Sequence, residues 1–363
     1  MRIVGLVVAL TLVAGSVAGM PAQPARADGG EARGYVWASE PAVPDYAPVG
    51  GYWFNSARRA VTLHRAGTGR YAVTFAGLGG AGGVAHVVAY GWGNTFCTVV
   101  AWKPSGADEV VHVACFGPGG VPADSMFLAD YARRTTVAAE YYSALYADNP
   151  GAVGPYTPPA AYRSDTFGAP ATVERLAAGR YQVLDDTYAA ARLELRKQMT
   201  VTAVGTTAVH CRLWDEANEG GDPVVGYLVQ CTDAGGRPID AAFTFTFVVG
   251  GNLLGDRPAG GYGGDWGRPG VLLPTEPAEL WDSSTGLTPV LEWRGAGQYR
   301  AVFPGLGAWG GHVRAEAMGF AAGYCTVADW GPVAADLVVI VQCFDIVTSA
   351  PADVNLVGVE YTA

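Results

Sequence analysis

Between short clusters of glycine, proline and acidic residues, the chain alternates apolar and polar positions with a period of two. Tyr71-Ala72-Val73-Thr74-Phe75 is one such run, and 85–89, 97–102, 110–115 and 125–129 are others. A period of two puts every second side chain on one face, so each run predicts a half-buried strand. Shorter runs near Tyr35, Tyr52 and Val61 raise the expectation to seven or eight strands in the first third of the chain, the count and spacing of an antiparallel sandwich. Helix signals are scarce. The segment 189–198 holds good helix formers, but it aligns with a strand approach elsewhere in the chain, so strand or loop is expected there.

The pattern recurs. Cys97-Thr98-Val99 and Cys325-Thr326-Val327 are each followed by a second cysteine 18 positions on. A constant offset of 228 carries Tyr71 onto Tyr299, 75–79 onto 303–307, 89–91 onto 317–319, Trp102 onto Trp330 and Cys115 onto Cys343 without a gap. A middle copy fits with small insertions: Gly179-Arg180-Tyr181 answers Gly69-Arg70-Tyr71, and Ala203-Val204-Gly205 answers Ala89-Tyr90-Gly91. Pro238-Ile239-Asp240 likewise answers Pro122-Ala123-Asp124 and Pro351-Ala352-Asp353. The expected architecture is all-β, with three tandem antiparallel sandwich repeats at 28–135, 136–249 and 250–363. Propeller-like closure is the alternative, since eight strands also divide into two four-stranded blades.

Folding 97–115 back on itself near Gly106 sets Cys97 opposite Cys115, Val99 opposite Val113 and Ala101 opposite Val111. The same operation sets Leu213 opposite Val229 and Val327 opposite Val341, with Asp329 as the polar exception on the cysteine side. Directly opposed residues on antiparallel strands meet the geometric limit for a disulfide. The recurrence therefore selects the pairs Cys97–Cys115, Cys211–Cys231 and Cys325–Cys343. Zinc sites usually hold two cysteines two to four residues apart, a spacing absent here, so no metal is expected.

The N-terminus changes the picture further. Arg2 precedes an almost wholly apolar stretch from Ile3 to Met20, and Ala25-Arg26-Ala27 fits a small-x-small cleavage site, so 1–27 reads as a signal peptide. No Arg-Arg pair precedes the apolar run, which favours the Sec route. The expectation is a secreted, extracellular protein with no membrane span after signal removal, in a compartment where disulfides persist. Its net charge of −10, with Arg2 and Arg26 still to be lost, excludes nucleic acid as a natural partner.

Candidate chemistry is thin. The five histidines, His64, His86, His112, His210 and His312, show no metal-binding spacing, and each is expected to face solvent or a satisfied partner. The mature chain lacks a Gly-x-Ser-x-Gly nucleophile turn. The glycine-rich stretch 77–83 lacks the Gly-Lys-Ser/Thr ending of a phosphate loop. Paired acids at Asp108-Glu109, Asp185-Asp186, Asp215-Glu216 and Glu219/Asp222 could serve a glycosidase, but they fall in expected turns, where acids are simply solvated. Asp124, Asp240 and Asp353 recur and are expected to cap turns through their own backbone rather than hold calcium.

Aromatic residues are the better binding candidates. Trp92 and Phe320 align after a glycine, just before a cysteine strand, and Trp266 and Trp309 also sit beside glycines in apparent loops. Exposed rings could stack on sugars or anchor a protein. Trp102 and Trp330 read as core, and Tyr46 and Tyr156, each two residues before a proline, read as structural corners. Taken together, Trp-Ala-x-x-Pro, Tyr-x-Pro, the Gly-x-Tyr-x-Val-x-Phe-x-Gly-Leu-Gly run and the Cys-x-Val-x-x-Trp strand closed by Cys-Phe resemble uncharacterised secreted β-repeat proteins of GC-rich bacteria, best over 34–133. That resemblance carries no active site and no cofactor. Trp214 departs from the pattern, standing two positions nearer its cysteine than Trp102 does. The expected function is a non-enzymatic extracellular binding or surface-associated module whose partner is a glycan or a protein. A hydrolase using residues of one repeat, or an inhibitor of secreted enzymes, is the alternative.

Overall fold

The period-two runs become strands. A computed structural model describes residues 31–133, 139–191, 196–216, 226–255, 259–264, 280–282 and 285–363. The expected signal peptide, Trp266 and the Glu219/Asp222 pair lie outside the described residues. The N-terminal segment forms β1 (Ala32–Ala38), β2 (Asp45–Tyr46), β3 (Trp53–Asn55), β4 (Val61–Gly67), β5 (Arg70–Phe75), β6 (Val84–Tyr90), β7 (Phe96–Ser105), β8 (Asp108–Phe116) and β9 (Met126–Arg133). The middle segment forms β10 (Tyr141–Ala147), β11 (Arg163–Asp165), β12 (Thr172–Ala177), β13 (Arg180–Leu184), α1 (Asp186–Ala191), β14 (Lys197–Val204), β15 (Val209–Glu216), β16 (Gly226–Asp233) and β17 (Ala242–Val249). The C-terminal segment forms β18 (Ala259–Gly264), β19 (Leu280–Asp282), β20 (Val290–Gly295), β21 (Gln298–Phe303), β22 (His312–Met318), β23 (Gly323–Val333), β24 (Asp336–Asp345) and β25 (Leu356–Thr362). Helix α1 corrects the reading of 189–198: Ala-rich residues up to Ala191 are helical, and Lys197 already belongs to β14.

Each segment contributes two antiparallel sheets packed face to face. One holds the cysteine hairpin, in the orders β7-β8-β5-β4, β15-β16-β13-β12 and β23-β24-β21-β20; the other runs β6-β9-β1-β3, β14-β17-β10-β11 and β22-β25-β18-β19. The sheets do not stay separate. β23 continues onto β6 to make an eight-stranded sheet, and β7 continues onto β14 within a nine-stranded one. Each join is a parallel bridge, Val327 to Tyr90 and Val204 to Val99. Gly91, Gly205 and Gly319 donate their N–H groups to Val327, Val99 and Leu213 O, each at 2.9 Å. These three contacts link the segments in a closed cycle. Separate blades of a propeller do not describe it, because two sheets each draw strands from two segments.

The cysteines pair as expected, Cys97–Cys115, Cys211–Cys231 and Cys325–Cys343, and each pair is directly cross-strand. Val99 faces Val113, Leu213 faces Val229 and Val327 faces Val341. The pairing of Ala101 with Val111 does not hold: a bulge between Val99 and Ala101 shifts the register, so Trp102 faces Val111 instead. A matching bulge between Val327 and Asp329 turns Trp330 inward and Asp329 out to solvent. One extra residue swaps the faces of everything after it. Trp102 and Trp330 are buried, and their indole N–H groups donate to Gly82 O at 3.0 Å and Gly310 O at 3.1 Å.

The recurrent aspartates do cap turns, though not through their own backbone. Asp124 Oδ1 accepts from Gly69 N at 2.8 Å and Tyr71 Oη at 3.0 Å. Asp240 repeats this with Gly179 and Tyr181, and Asp353 with Gly297 and the Trp293 indole. Each therefore pins the turn of a different hairpin. Tyr46 and Tyr156 are the corners the sequence implies: their hydroxyls accept from Glu40 N at 3.1 Å and Asn149 N at 3.0 Å.

The segments meet on a shared interior. Phe96, His210 and Tyr324, the residues before the first cysteine of each hairpin, form a trio with ring centroids 5.4, 5.7 and 6.2 Å apart. Deeper in, Arg314 donates Nε to Asp130 Oδ2 at 2.7 Å and Nη1 to Glu360 Oε2 at 3.0 Å, with a further bond from Nη2 to Asp130 Oδ1. His312 Nε2 lies 3.1 Å from Asp130 Oδ2, and His86 Nδ1 lies 2.9 Å from Thr202 Oγ1. Asp130, Arg314, Glu360, His86 and His312 are all buried. Burial alone would raise the Asp130 carboxyl, but Arg314 and His312 outweigh it and hold it well below the usual range. Burial pushes Glu316 well above the ordinary carboxyl value and raises Glu360. His210 departs from the expectation of a solvated or satisfied histidine: it is half-buried among rings, its Nε2 is buried without a partner among the described residues, and burial lowers its pKa to about 3.

Candidate functional site

The inward turn of Trp330 creates a surface beside it. Strand β23 runs next to β6, so aromatic side chains from the N-terminal segment close over Trp330: Tyr90 at 5.2 Å, Trp37 at 5.4 Å and Tyr52 at 5.5 Å between centroids, all edge-on. Trp37, Tyr52 and Tyr90 are half-buried. Edge-on packing adds to area burial and fixes the rings rigidly.

On the outside of this cluster stand Asp329 and Trp309. The Tyr90 hydroxyl donates to Asp329 Oδ1 at 3.2 Å. Trp309 is 73% exposed. Its ring lies against Gly331, where a Cβ would stand 2.9 Å from Cζ3, so a side chain there would displace it. Residues 329 and 331 share one face of β23 and lie ~7 Å apart along it, so the indole seated on Gly331 is on the same strand face as the carboxylate. Burial, and secondarily the Asp329 charge, raise the pKa values of Tyr52 and Tyr90, so both hydroxyls stay protonated as donors near neutral pH. The face thus offers an apolar ring, an acceptor carboxylate and phenolic hydroxyls, with Asp329 and Tyr90 on strands and Trp309 and Tyr52 on connections.

Trp92 belongs to the same junction. It is 58% exposed and follows Gly91, whose N–H is held by Val327 of β23; Gly91 has φ +116°, a conformation suited to glycine. Phe320 does not join them. It follows Gly319 at the junction with Leu213, is 48% exposed, and packs edge-on against Trp214 at 5.5 Å, with the Arg180 guanidinium 4.1 Å above the Trp214 ring. The structure therefore sets two of the sequence candidates along the β6–β23 junction, Trp92 beside Val327 and Trp309 on Gly331, places Phe320 elsewhere, and adds Asp329, Tyr52 and Tyr90.

Two acids read as solvated are not. Glu109 is fully buried on β8; burial raises its carboxyl to about 7 against the opposing pull of the Gly80 N–H and Arg133. Asp185 is 2% exposed, accepts from Thr187 N at 2.8 Å, and is raised by burial. Glu109 shares the parity of Val111, Val113 and Cys115, so it occupies an inward position where β24 has Leu337. Asp108 fits its turn role, accepting from Gly77 N at 2.8 Å. Among the described residues, no group of three or more His, Cys, Asp or Glu side chains is placed to hold a metal. No helix among them is long and apolar enough to cross a membrane.

Comparison with protein-family models, curated proteins and solved structures finds no match to this chain. The fold and the site define a class by themselves: an all-β assembly of sandwich sheets, stapled by a disulfide in each cysteine hairpin, with an aromatic and carboxylate-bearing face at one junction.

Proposed function

We propose that the chain is an exported, non-enzymatic binding protein that recognises a polyhydroxylated ligand, an extracellular glycan, through the Trp309–Asp329 face. The observation that carries this reading is a largely exposed indole seated on the same strand face as a carboxylate, with two tyrosines that packing holds in place. A sugar ring presents an apolar C–H face that stacks on an aromatic ring, and hydroxyls that donate to a carboxylate. Sites with a few fixed polar groups on an aromatic surface suit such ligands. Export is supported by three disulfides with no free cysteine.

The test is a glycan array and a cell-wall polysaccharide pull-down with the exported form. Retention that falls at least tenfold in Trp309→Ala and in Asp329→Asn supports the reading. Absence of retention on every polysaccharide and wall preparation, or retention untouched by both substitutions, removes it.

A further inference from the structure

A concave site lies at the junction of the N-terminal and middle segments. A pocket of about 200 Å³ is lined by the β5–β6 connection, the end of β9, β10, Leu253 and residues 160–164. Its charged lining residues are Arg133 and Arg163, and no carboxylate lines it, in a chain whose net charge is −10. Both guanidinium groups are held and both keep free donors. Arg133 Nη2 donates to Leu78 O at 3.3 Å, while its Nε is buried without a partner among the described residues. Its guanidinium also fills the space that a side chain at Gly80 would need. Arg163 Nε donates to Pro158 O at 2.9 Å, leaving its Nη groups unbonded among the described residues. The backbone around the pocket is fixed by the Gly83 N–H bond to Ala161 O at 2.9 Å.

We propose that this pocket binds a small oxyanion-bearing ligand, a carboxylate or a phosphate, through Arg133 and Arg163. Planar guanidinium groups with unfilled N–H donors match the paired oxygens of such anions.

Glu109 couples the site to pH. Its Oε2 accepts from Gly80 N at 3.3 Å, and its Oε1 is buried without a partner among the described residues. The groups facing it are Arg133 and Tyr131 from β9 and the Gly80 N–H from the connection; Tyr162 interacts with Tyr131. Its backbone neighbours, Phe75 on β5 and Pro104 on β7, carry no charge. Ionised Glu109 competes with a ligand for Arg133, so an anion binds with proton uptake and more weakly as pH rises through about 7.

The test titrates the exported form with inorganic phosphate and, separately, with D-glucuronate, by calorimetry in low salt at pH 6 and pH 8. Saturable binding of either probe supports the site, and the probe that binds names the anion class. Arg163→Gln and Arg133→Gln should each weaken that binding at least tenfold. Glu109→Gln should keep it and, for D-glucuronate, whose own charge is constant over this range, make the two pH values agree within twofold, and Trp309→Ala should leave binding unchanged. Neither probe binding at pH 6, or binding indifferent to Arg163→Gln and Glu109→Gln in variants with native circular dichroism, overturns the proposal. Because Trp309 plays no part here, the outcome is independent of the glycan reading.

Discussion

Replacing Arg314 with methionine keeps the volume and removes the charge that holds the shared interior together. Arg314 makes two bonds to Asp130 and one to Glu360, and all three residues are buried. Removing one partner of a buried ion pair typically costs ~3–5 kcal/mol, because the remaining charge is left uncompensated. Against a domain stability of about 5–15 kcal/mol, that is a large fraction of the total. The loss should also depend on pH. In the wild type Asp130 is depressed, so its stabilising contribution is present above the unfolded carboxyl value of about 4 and is lost as pH falls toward the folded one. In Arg314→Met only His312 and His86 still oppose burial at Asp130, so the carboxyls rise, and the penalty appears above about pH 4 and grows with pH. Urea unfolding followed by tryptophan fluorescence should therefore show a loss of ~3–5 kcal/mol at pH 7.5 and a smaller loss at pH 5. A loss below about 1 kcal/mol at pH 7.5, or an equal loss at both pH values, would mean that Arg314 does not hold these buried carboxylates in their charged form.

Other substitutions probe the frame. Replacing Cys97 and Cys115 by alanine opens a loop with a sequence separation of 18 and should cost ~3 kcal/mol by urea unfolding. Asp124→Ala strips acceptors from Gly69 N, Tyr71 Oη and Arg65 and should cost about 1–3 kcal/mol, with faster amide exchange at Gly69. Trp309→Ala should leave the unfolding free energy within about 0.5 kcal/mol of wild type while removing ligand retention, since the ring is mostly in solvent.

Much of the frame is legible in the chain. Paired cysteines at recurring distances and period-two runs suffice for the hairpins, because register on a half-buried strand is set by which residues must face inward. Three features escape that logic. The bulges after Val99 and Val327 reverse parity, so Asp329 looks like a flaw on the cysteine side when it is an exposed site residue. Glu109 looks solvated beside Asp108, although the alignment with Leu337 places it in a core position. His86 and Arg314 align, yet their burial depends on the second face of their sheets being covered by neighbouring segments. That covering is a tertiary event with no local signature. The candidate face was legible only in its exposed rings, Trp92 and Trp309; Tyr52, Tyr90 and Asp329 become partners only when β23 is laid beside β6.

Differential scanning calorimetry of the intact exported form reports whether the three cysteine hairpins and their partner sheets close around one shared buried interior. A shared interior gives a single cooperative transition whose calorimetric and van't Hoff enthalpies agree. Three resolved transitions, or a calorimetric enthalpy near three times the van't Hoff value, would contradict it.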